Sequence, residues 1–445
     1  MTNDEPLAAA MASATPAGPP DATHDAMHEP PQEELPPVGR RFIWFLLLAH
    51  FGAFLGLVTP MAISLAIRVE HLAPDNTGVL GYVVGTASAV SVIAGPLLGT
   101  ASDRTRSRFG RRRPWIAIGA VVGLLGSLVL SGAQSVFLLG VGWVIAALGW
   151  TLVMNLVMTV LADRLPESQR GKVSGISGFI SMAAPVGGSI LGGALSGNTF
   201  LLFVVPAAIG LLLALAFVLL VHEDSTNDLQ PPPKLDLKSL ASTFVFDPRR
   251  YPDFAWNWLA RFLFYMGLTF NTTFTALFFA DRLGKKVAEI SQIVAVTGGL
   301  TLVAVSIGAI SSGYVSDKVG RRKPFVLLGG TIFAGGASLM AFVDALPLLL
   351  TGAFIASLGM GLFSAVDQAI LLDIVPERST DAGRFIAINQ FATSIAQAVA
   401  PIAAPTLLTV GVVRGGENYT LLYLVAAAFT LAAGVVVITR VRSIR

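Results

Sequence analysis

An ionisable side chain inside a long apolar stretch costs about 2.5–3.5 kcal/mol on insertion scales, so each one needs a chemical reason. Asp367 sits in GLFSAVDQAILLD, six residues before Asp373, or roughly 9 Å deeper at about 1.5 Å per residue of helix. Arg261 lies seven residues into the apolar stretch that starts at Phe254, and His50 eight residues into the one that starts at Phe42, which puts both roughly 10–12 Å from the same side. Asn155, eight residues before Asp163, reaches a similar depth. An acid facing an arginine in such surroundings forms an ion pair whose making and breaking can couple proton uptake to a second event. Asp367 and Arg261 are the candidates for that pair, with His50 as a third proton-coupling residue. The structural alternatives are an Arg261 that snorkels to the interface and a His50 that hydrogen-bonds a neighbouring carbonyl.

A second set suits the recognition of hydroxyl groups. Asn389, Thr393 and Gln397 recur at spacings of four, which puts three hydrogen-bonding side chains on one helix face. Tyr265, Phe270, Asn271, Thr272 and Phe274 mix flat apolar rings with amide and hydroxyl groups, a combination able to stack on and bond a pyranose. Trp150 and Asn155 add another ring and another amide. Polar residues also join membrane helices, and aromatic residues also pack, so both sets carry a structural alternative.

The elements that must position these residues follow from composition. Hydrophobic residues make up 54% of the chain and charged ones 13%, about half the share usual in soluble domains. Twelve charge-poor stretches are each long enough to cross a bilayer as a helix: 42–67, 77–101, 114–132, 136–162, 173–196, 199–221, 254–280, 288–315, 325–343, 347–374, 384–411 and 418–440. The expected fold class is an all-α polytopic membrane protein of two pseudo-symmetric six-helix bundles. Residues 1–41 read as a disordered acidic tail, 42–221 as the first bundle, 222–253 as a linker containing PPPK, 254–440 as the second bundle and 441–445 as a short tail. The tail has no positively charged start or apolar core, so it is expected to stay on the mature protein. His24 and His28 stand four apart among prolines and are not expected to bind metal. Lysine and arginine concentrate in alternate loops, which places those loops and both termini in the cytoplasm of a cell-membrane protein. Basic runs beside membrane helices act as topology signals and lipid contacts, so no nucleic-acid partner is expected. The chain has no cysteine, which excludes disulfides and thiol chemistry.

One phrase occurs twice, GTASDRTRSRFGRRRP from Gly99 and GYVSDKVGRRKP from Gly313. Asp103 and Asp317 are 214 positions apart and Arg111 and Arg321 are 210 apart, the difference being an insertion in the first copy. Asp163 and Pro166 repeat as Asp373 and Pro376 at the same offset of 210, and FIWFLLLAHF repeats more weakly as FAWNWLARFL. A duplicated, strongly apolar chain is a signature of secondary transporters.

The G-x-x-x-D-R/K-x-G-R/K-R/K pattern carried by Gly313, Asp317, Lys318, Gly320, Arg321 and Arg322 resembles the signature of the major facilitator superfamily. The expanded first copy, with Gly99, Asp103, Arg104, Gly110, Arg111 and Arg112, resembles the sucrose:proton and glycoside–cation symporter group. The resemblance implies that helices one, four, seven and ten line a central cavity, so that His50, Asn155, Arg261 and Asp367 form one polar layer. It also implies that Asp103 with Arg104, and Asp317 with Lys318, lock a cytoplasmic gate across the seam between bundles in the outward-open state. Gly95 and Gly99 are expected to let a neighbouring helix approach closely. The second span carries no acid between Thr77 and Ala101, which disfavours sodium coupling, and the fourth carries no charge from Gly140 to Ala162, a departure from the sucrose carriers.

No phosphate loop, HExxH or GxSxG occurs, so neither ATP use nor a membrane enzyme is expected, and no cofactor is implied. The leading expectation is a monomeric, proton-coupled sugar or glycoside symporter. A drug:proton exporter is the alternative, favoured by the largely apolar fourth and fifth spans with Met154, Met158, Phe179 and Met182. A sensor or interaction protein on a transporter fold is the reading from another class.

Overall fold

In a computed structural model the described residues are 37–221, 245–377, 381–412 and 416–442. Most of the acidic tail (1–36), most of the linker (222–244) and residues 443–445 lie outside them, as do His24 and His28.

Lipid offers no partner to a backbone N–H or C=O, so the apolar runs fold as helices that satisfy these groups internally. The spans are α1 (Arg40–Leu72), α2 (Leu80–Arg104), α3 (Arg113–Gly132), α4 (Val136–Arg164), α5 (Glu167–Ala194) and α6 (Thr199–Leu220). The second half holds α7 (Pro252–Thr273 continued by Thr275–Leu283), α8 (Ser291–Val319), α9 (Lys323–Phe342), α10 (Leu346–Ile374), α11 (Ala382–Thr409) and α12 (Tyr419–Arg440). The helices start where the residue types dictate. Ser135, Asn198 and Asn418 accept hydrogen bonds from first-turn amides, and prolines open α3, α7, α9 and α10, where a missing N–H costs nothing. Gly320 ends α8 at φ +66°, a left-handed conformation that glycine adopts without strain.

Two helices are irregular. Within α1, residues Pro60–Ser64 form a π-turn, and Pro60 has no N–H to give to a regular ladder. The two parts of α7 meet at Phe274 with a bend of 50°.

The halves pack alike. In the first, α1 lies against α5 and α6, α3 against α4 and α6, and α2 against α4; in the second, α7 lies against α11 and α12, α9 against α10 and α12, and α8 against α10. Small residues allow these crossings. A Cβ on Gly126 of α3 would lie 2.2 Å from the Ala146 nitrogen of α4, and its counterpart on Gly336 of α9 would lie 2.4 Å from the Ala356 nitrogen of α10.

Between the halves, α2 meets α11 and α5 meets α8, and these contacts are one-sided. A Cβ on Gly81 would lie 2.1 Å from the Pro401 carbonyl oxygen, whereas Gly95 and Gly99, further along α2, would meet nothing within 4 Å. The expected close-packing role of Gly95 and Gly99 is therefore corrected: Gly81 and Gly85 make the close approach, because the bundles touch at that end and splay apart toward the arginine loops.

Candidate functional site

The splayed helices enclose a central cavity of about 620 Å³. Asn155 and Thr151 of α4, Ser88 and Ser91 of α2, Thr269 and Thr272 of α7, and Gln390, Ser394 and Gln397 of α11 line it, among apolar groups such as Met61, Met154 and Phe391. Among the described lining residues none has an ionisable side chain.

Beside this wall, inside the second bundle, Arg261 and Asp367 meet. The Arg261 guanidinium donates to Asp367 Oδ2 at 2.5 Å, to Gln390 Oε1 at 2.6 Å and to Thr393 Oγ1 at 2.9 Å, and it stands over the Tyr265 ring at 5.3 Å. Both charged side chains are almost fully buried, so Arg261 does not snorkel. One guanidinium thus ties α7, α10 and α11 together, and Gln390 belongs both to this network and to the cavity wall. Asn257, one turn before Arg261, is buried beside the Asp367 carboxylate.

The other expected site residues separate by the face their helix presents. His50 is buried against α5, with Nε2 3.2 Å from Ser181 Oγ and its ring edge-on to Phe54; it does not join the Arg261 network. The expected single layer of His50, Asn155, Arg261 and Asp367 is corrected accordingly. Trp150 is fully buried between helices, where a Cβ on Gly56, Gly123 or Gly210 would overlap its indole, so it is a packing residue and not part of the cavity wall. Phe270 and Phe274 are core residues, the former edge-on to Phe429. Asn389 is fully buried with an unpaired amide and Thr393 is turned to Arg261, while Gln390 and, of the expected three, Gln397 face the cavity. Asn271 borders a second cavity, which it shares with Thr272. Gln390 stands one position off the Asn389 spacing of four; the need of a buried guanidinium for more than one acceptor is the signal that points to it. Arg68, just past the expected end of the first span, is also buried and donates to the Ala133 carbonyl at the end of α3.

At the arginine loops the ion pairs lie within each bundle. Arg112 pairs with Asp103 at 2.5 Å and Asp163 at 3.4 Å; Arg322, 210 residues later, pairs with Asp373 at 2.5 Å and Asp317 at 3.5 Å. The expected locks of Asp103 with Arg104, and Asp317 with Lys318, belong to a state in which this end of the seam is closed; with it open, Arg112 and Arg322 act as hubs that fasten the end of α2 to α4 and of α8 to α10. With the bundles splayed here, the arginine of the same bundle is the nearer partner. Gly110 holds φ +86° in the first loop. Lys318 and Arg321 are exposed, and Arg104 and Arg111 are half-buried.

Seam contacts occur at the opposite end. Glu417 accepts from the Gly78 amide at 2.5 Å and Thr77 Oγ1 at 2.7 Å, and Glu70 accepts from the Val287 amide at 3.2 Å. Each half thus sends one carboxylate onto the amide-rich start of a helix in the other, where anions are favoured.

Comparison with known proteins supplies the wider context. The family model described as Major Facilitator Superfamily matches residues 45–312 and 258–443. Multidrug resistance protein 1 of Bacillus subtilis is 25% identical over 402 residues, which cover 88% of this chain and 93% of that protein. Myo-inositol transporter 1 of Cryptococcus neoformans var. grubii is 31% identical over 105 residues, but the match covers only 24% of this chain and 18% of that protein's length. A solved structure of a mutant of the nucleoside transporter NupG covers 89% of this chain and 99% of its own, with a TM-score of 0.75 at 12% identity.

Proposed function

The chain belongs to the Major Facilitator Superfamily, and from that premise we propose that it carries a neutral, hydroxyl-rich small solute, a sugar or glycoside, together with protons by alternating access. The observation that carries this reading is the set of hydroxyl and amide groups from both bundles set into an otherwise apolar cavity wall, with no ionisable side chain among the described lining residues. A charged substrate would enter such a wall without a counter-charge, whereas a polyol finds donors and acceptors on both bundles. The fungal myo-inositol transporter is a relative of the same solute class over a short stretch.

Asp367 and Arg261 are the coupling pair in this scheme. While Asp367 is charged, Arg261 is held between α10 and α11. Protonation of Asp367 removes the charge that holds Arg261 to α10 and leaves the guanidinium with Gln390 and Thr393, so it loosens the link between α10 and α11, the helix whose Pro401 region closes on Gly81 of α2. The proton state of a buried carboxyl is thereby linked to the seam. The arginine loops face the cytoplasm, so this is the inward-open form. His50 is left with a structural role.

The test uses protein in liposomes loaded with a pH-sensitive dye, given a panel of disaccharides, glycosides and hydrophobic cations. Proton influx with a sugar, abolished by Asp367→Asn, is the expected result. Proton movement driven only by the cations would replace this reading with drug:proton exchange, which the alignment of the Bacillus subtilis multidrug protein along most of the chain favours. Sugar-driven influx unchanged in the variant would remove Asp367 from the coupling role.

A further inference from the structure

A second cavity, of about 430 Å³, opens behind α7 into the second bundle, between α8 and α10. It is the more apolar of the two: Leu302, Val305, Phe333, Met340 and Met360 supply much of its wall, beside hydroxyls such as those of Thr301 and Ser357. Its volume lies within the range of small-molecule sites.

The two cavities adjoin on both sides of the seam. On α7, Thr272 lines both. On α1, the consecutive residues Met61 and Ala62 line one each. Both borders fall on the molecule's irregular backbone, the π-turn of Pro60–Ser64 and the stretch of α7 just before its bend at Phe274. Interrupted helices at the junction of the halves are where carriers of this architecture build binding sites, and π-turns recur at functional positions. At the same border Asn271 keeps a buried amide nitrogen without a hydrogen-bond partner. A buried donor of this kind is expensive unless a ligand acceptor meets it.

We propose that these cavities are two compartments of one site, the central one taking a sugar ring and the apolar one taking the aryl or alkyl aglycone of an amphipathic glycoside. Asn271 donates to the glycosidic or ring oxygen at the junction, and Thr272 forms the sill between compartments. The inference rests on the sugar-carrier reading and narrows its substrate class to glycosides with an apolar substituent.

Thr297 of α8 lines the apolar compartment, and its hydroxyl is already bonded to the Ile293 carbonyl of its own helix at 2.8 Å. Thr297→Phe puts a ring into the compartment where the aglycone would lie; Thr297→Val replaces the hydroxyl by a methyl group and controls for folding, and Ser189→Phe obstructs the opposite wall should the first variant not fold. Binding to purified protein is measured for the methyl and 4-nitrophenyl glycosides of glucose, galactose and mannose, and for 4-nitrophenol alone. The 4-nitrophenyl glycoside is expected to bind about 100-fold more tightly than its methyl counterpart, from the removal of one ring's apolar surface from water. The filled variant should erase that difference while leaving methyl glycoside affinity within about twofold, and Thr297→Val should preserve the difference. Equal affinities in the wild type, a difference that survives filling, or 4-nitrophenol binding as tightly as its glycoside would each overturn this inference and leave the sugar reading standing. Binding of no glycoside would overturn the sugar reading and this inference with it.

Discussion

Replacing Asp367 alone should harm the protein more than replacing both members of its ion pair. Asp367→Asn leaves the Arg261 guanidinium, whose side chain is 6% exposed, with only the neutral acceptors Gln390 and Thr393. Breaking a buried pair in this way costs about 3–5 kcal/mol, most of it the desolvation of the stranded charge. Folded proteins gain roughly 2.1 cal/mol/K of unfolding entropy per residue, so over this chain the loss corresponds to a fall in Tm of about 3–5 °C. Arg261→Met should cost a similar amount, since it strands the carboxylate. The double variant Arg261→Met with Asp367→Leu strands neither charge and fills similar volume, so it should return to within about 1–2 °C of the wild type. The measurement is thermal unfolding of the four proteins in one detergent, followed by intrinsic fluorescence, with proton-coupled transport assayed in parallel. The double variant should be stable but uncoupled, which separates the pair's role in coupling from any role in folding. Additive losses, with the double variant falling by the sum of the singles, would refute the reasoning, because they would mean that neither charge depends on the other for its burial.

Three further outcomes follow from the packing. Glu70→Gln combined with Glu417→Gln should weaken the closed seam, since hydrogen bonds to charged groups contribute about 1.5–3 kcal/mol each; thiol labelling of Gly95→Cys from the arginine-loop side should then fall about tenfold or more, and unchanged labelling would dismiss these carboxylates as latches. The absence of native cysteine keeps that measurement free of background. Arg112→Ala should destabilise the first bundle while Arg111→Ala changes Tm little, because Arg112 alone of the two bridges Asp103 and Asp163 in the ion pairs described; equal effects would contradict the hub. Trp150→Ala should cost about 3–5 kcal/mol by emptying the space between Gly56, Gly123 and Gly210, yet leave substrate affinity of the folded protein unchanged; a selective loss of affinity would return the indole to the binding site.

The positions of the helices were legible because crossing a bilayer is a local property. Twenty apolar residues in a row must satisfy their own backbone, and the expected spans agree with the observed helices to within a few residues at most ends. The repeat offset was equally legible, and it carried further than the motif alone: Arg112 and Arg322, like Asp163 and Asp373, occupy matching places in three dimensions. Asp367 and Arg261 drew attention for the same local reason, as charges where charges are costly.

The direction in which each side chain faces was decided by the tertiary structure. In a soluble helix the polar face marks the outside, but here the lipid face and the core face are both apolar, so periodicity cannot tell them apart. Trp150 looked like a cavity ring and is a packing block; Gln390, not Asn389, faces the cavity; Gly81, not Gly95, touches the opposite bundle. Ion-pair partners were undecided for a related reason. Asp103 stands within reach of several arginines in sequence, and only the splay of the two bundles selects Arg112. Sequence alone therefore determined how many helices cross, how the halves repeat and which charges need partners. The packing of the helices, through their facing and the separation of the bundles, determined which residues meet.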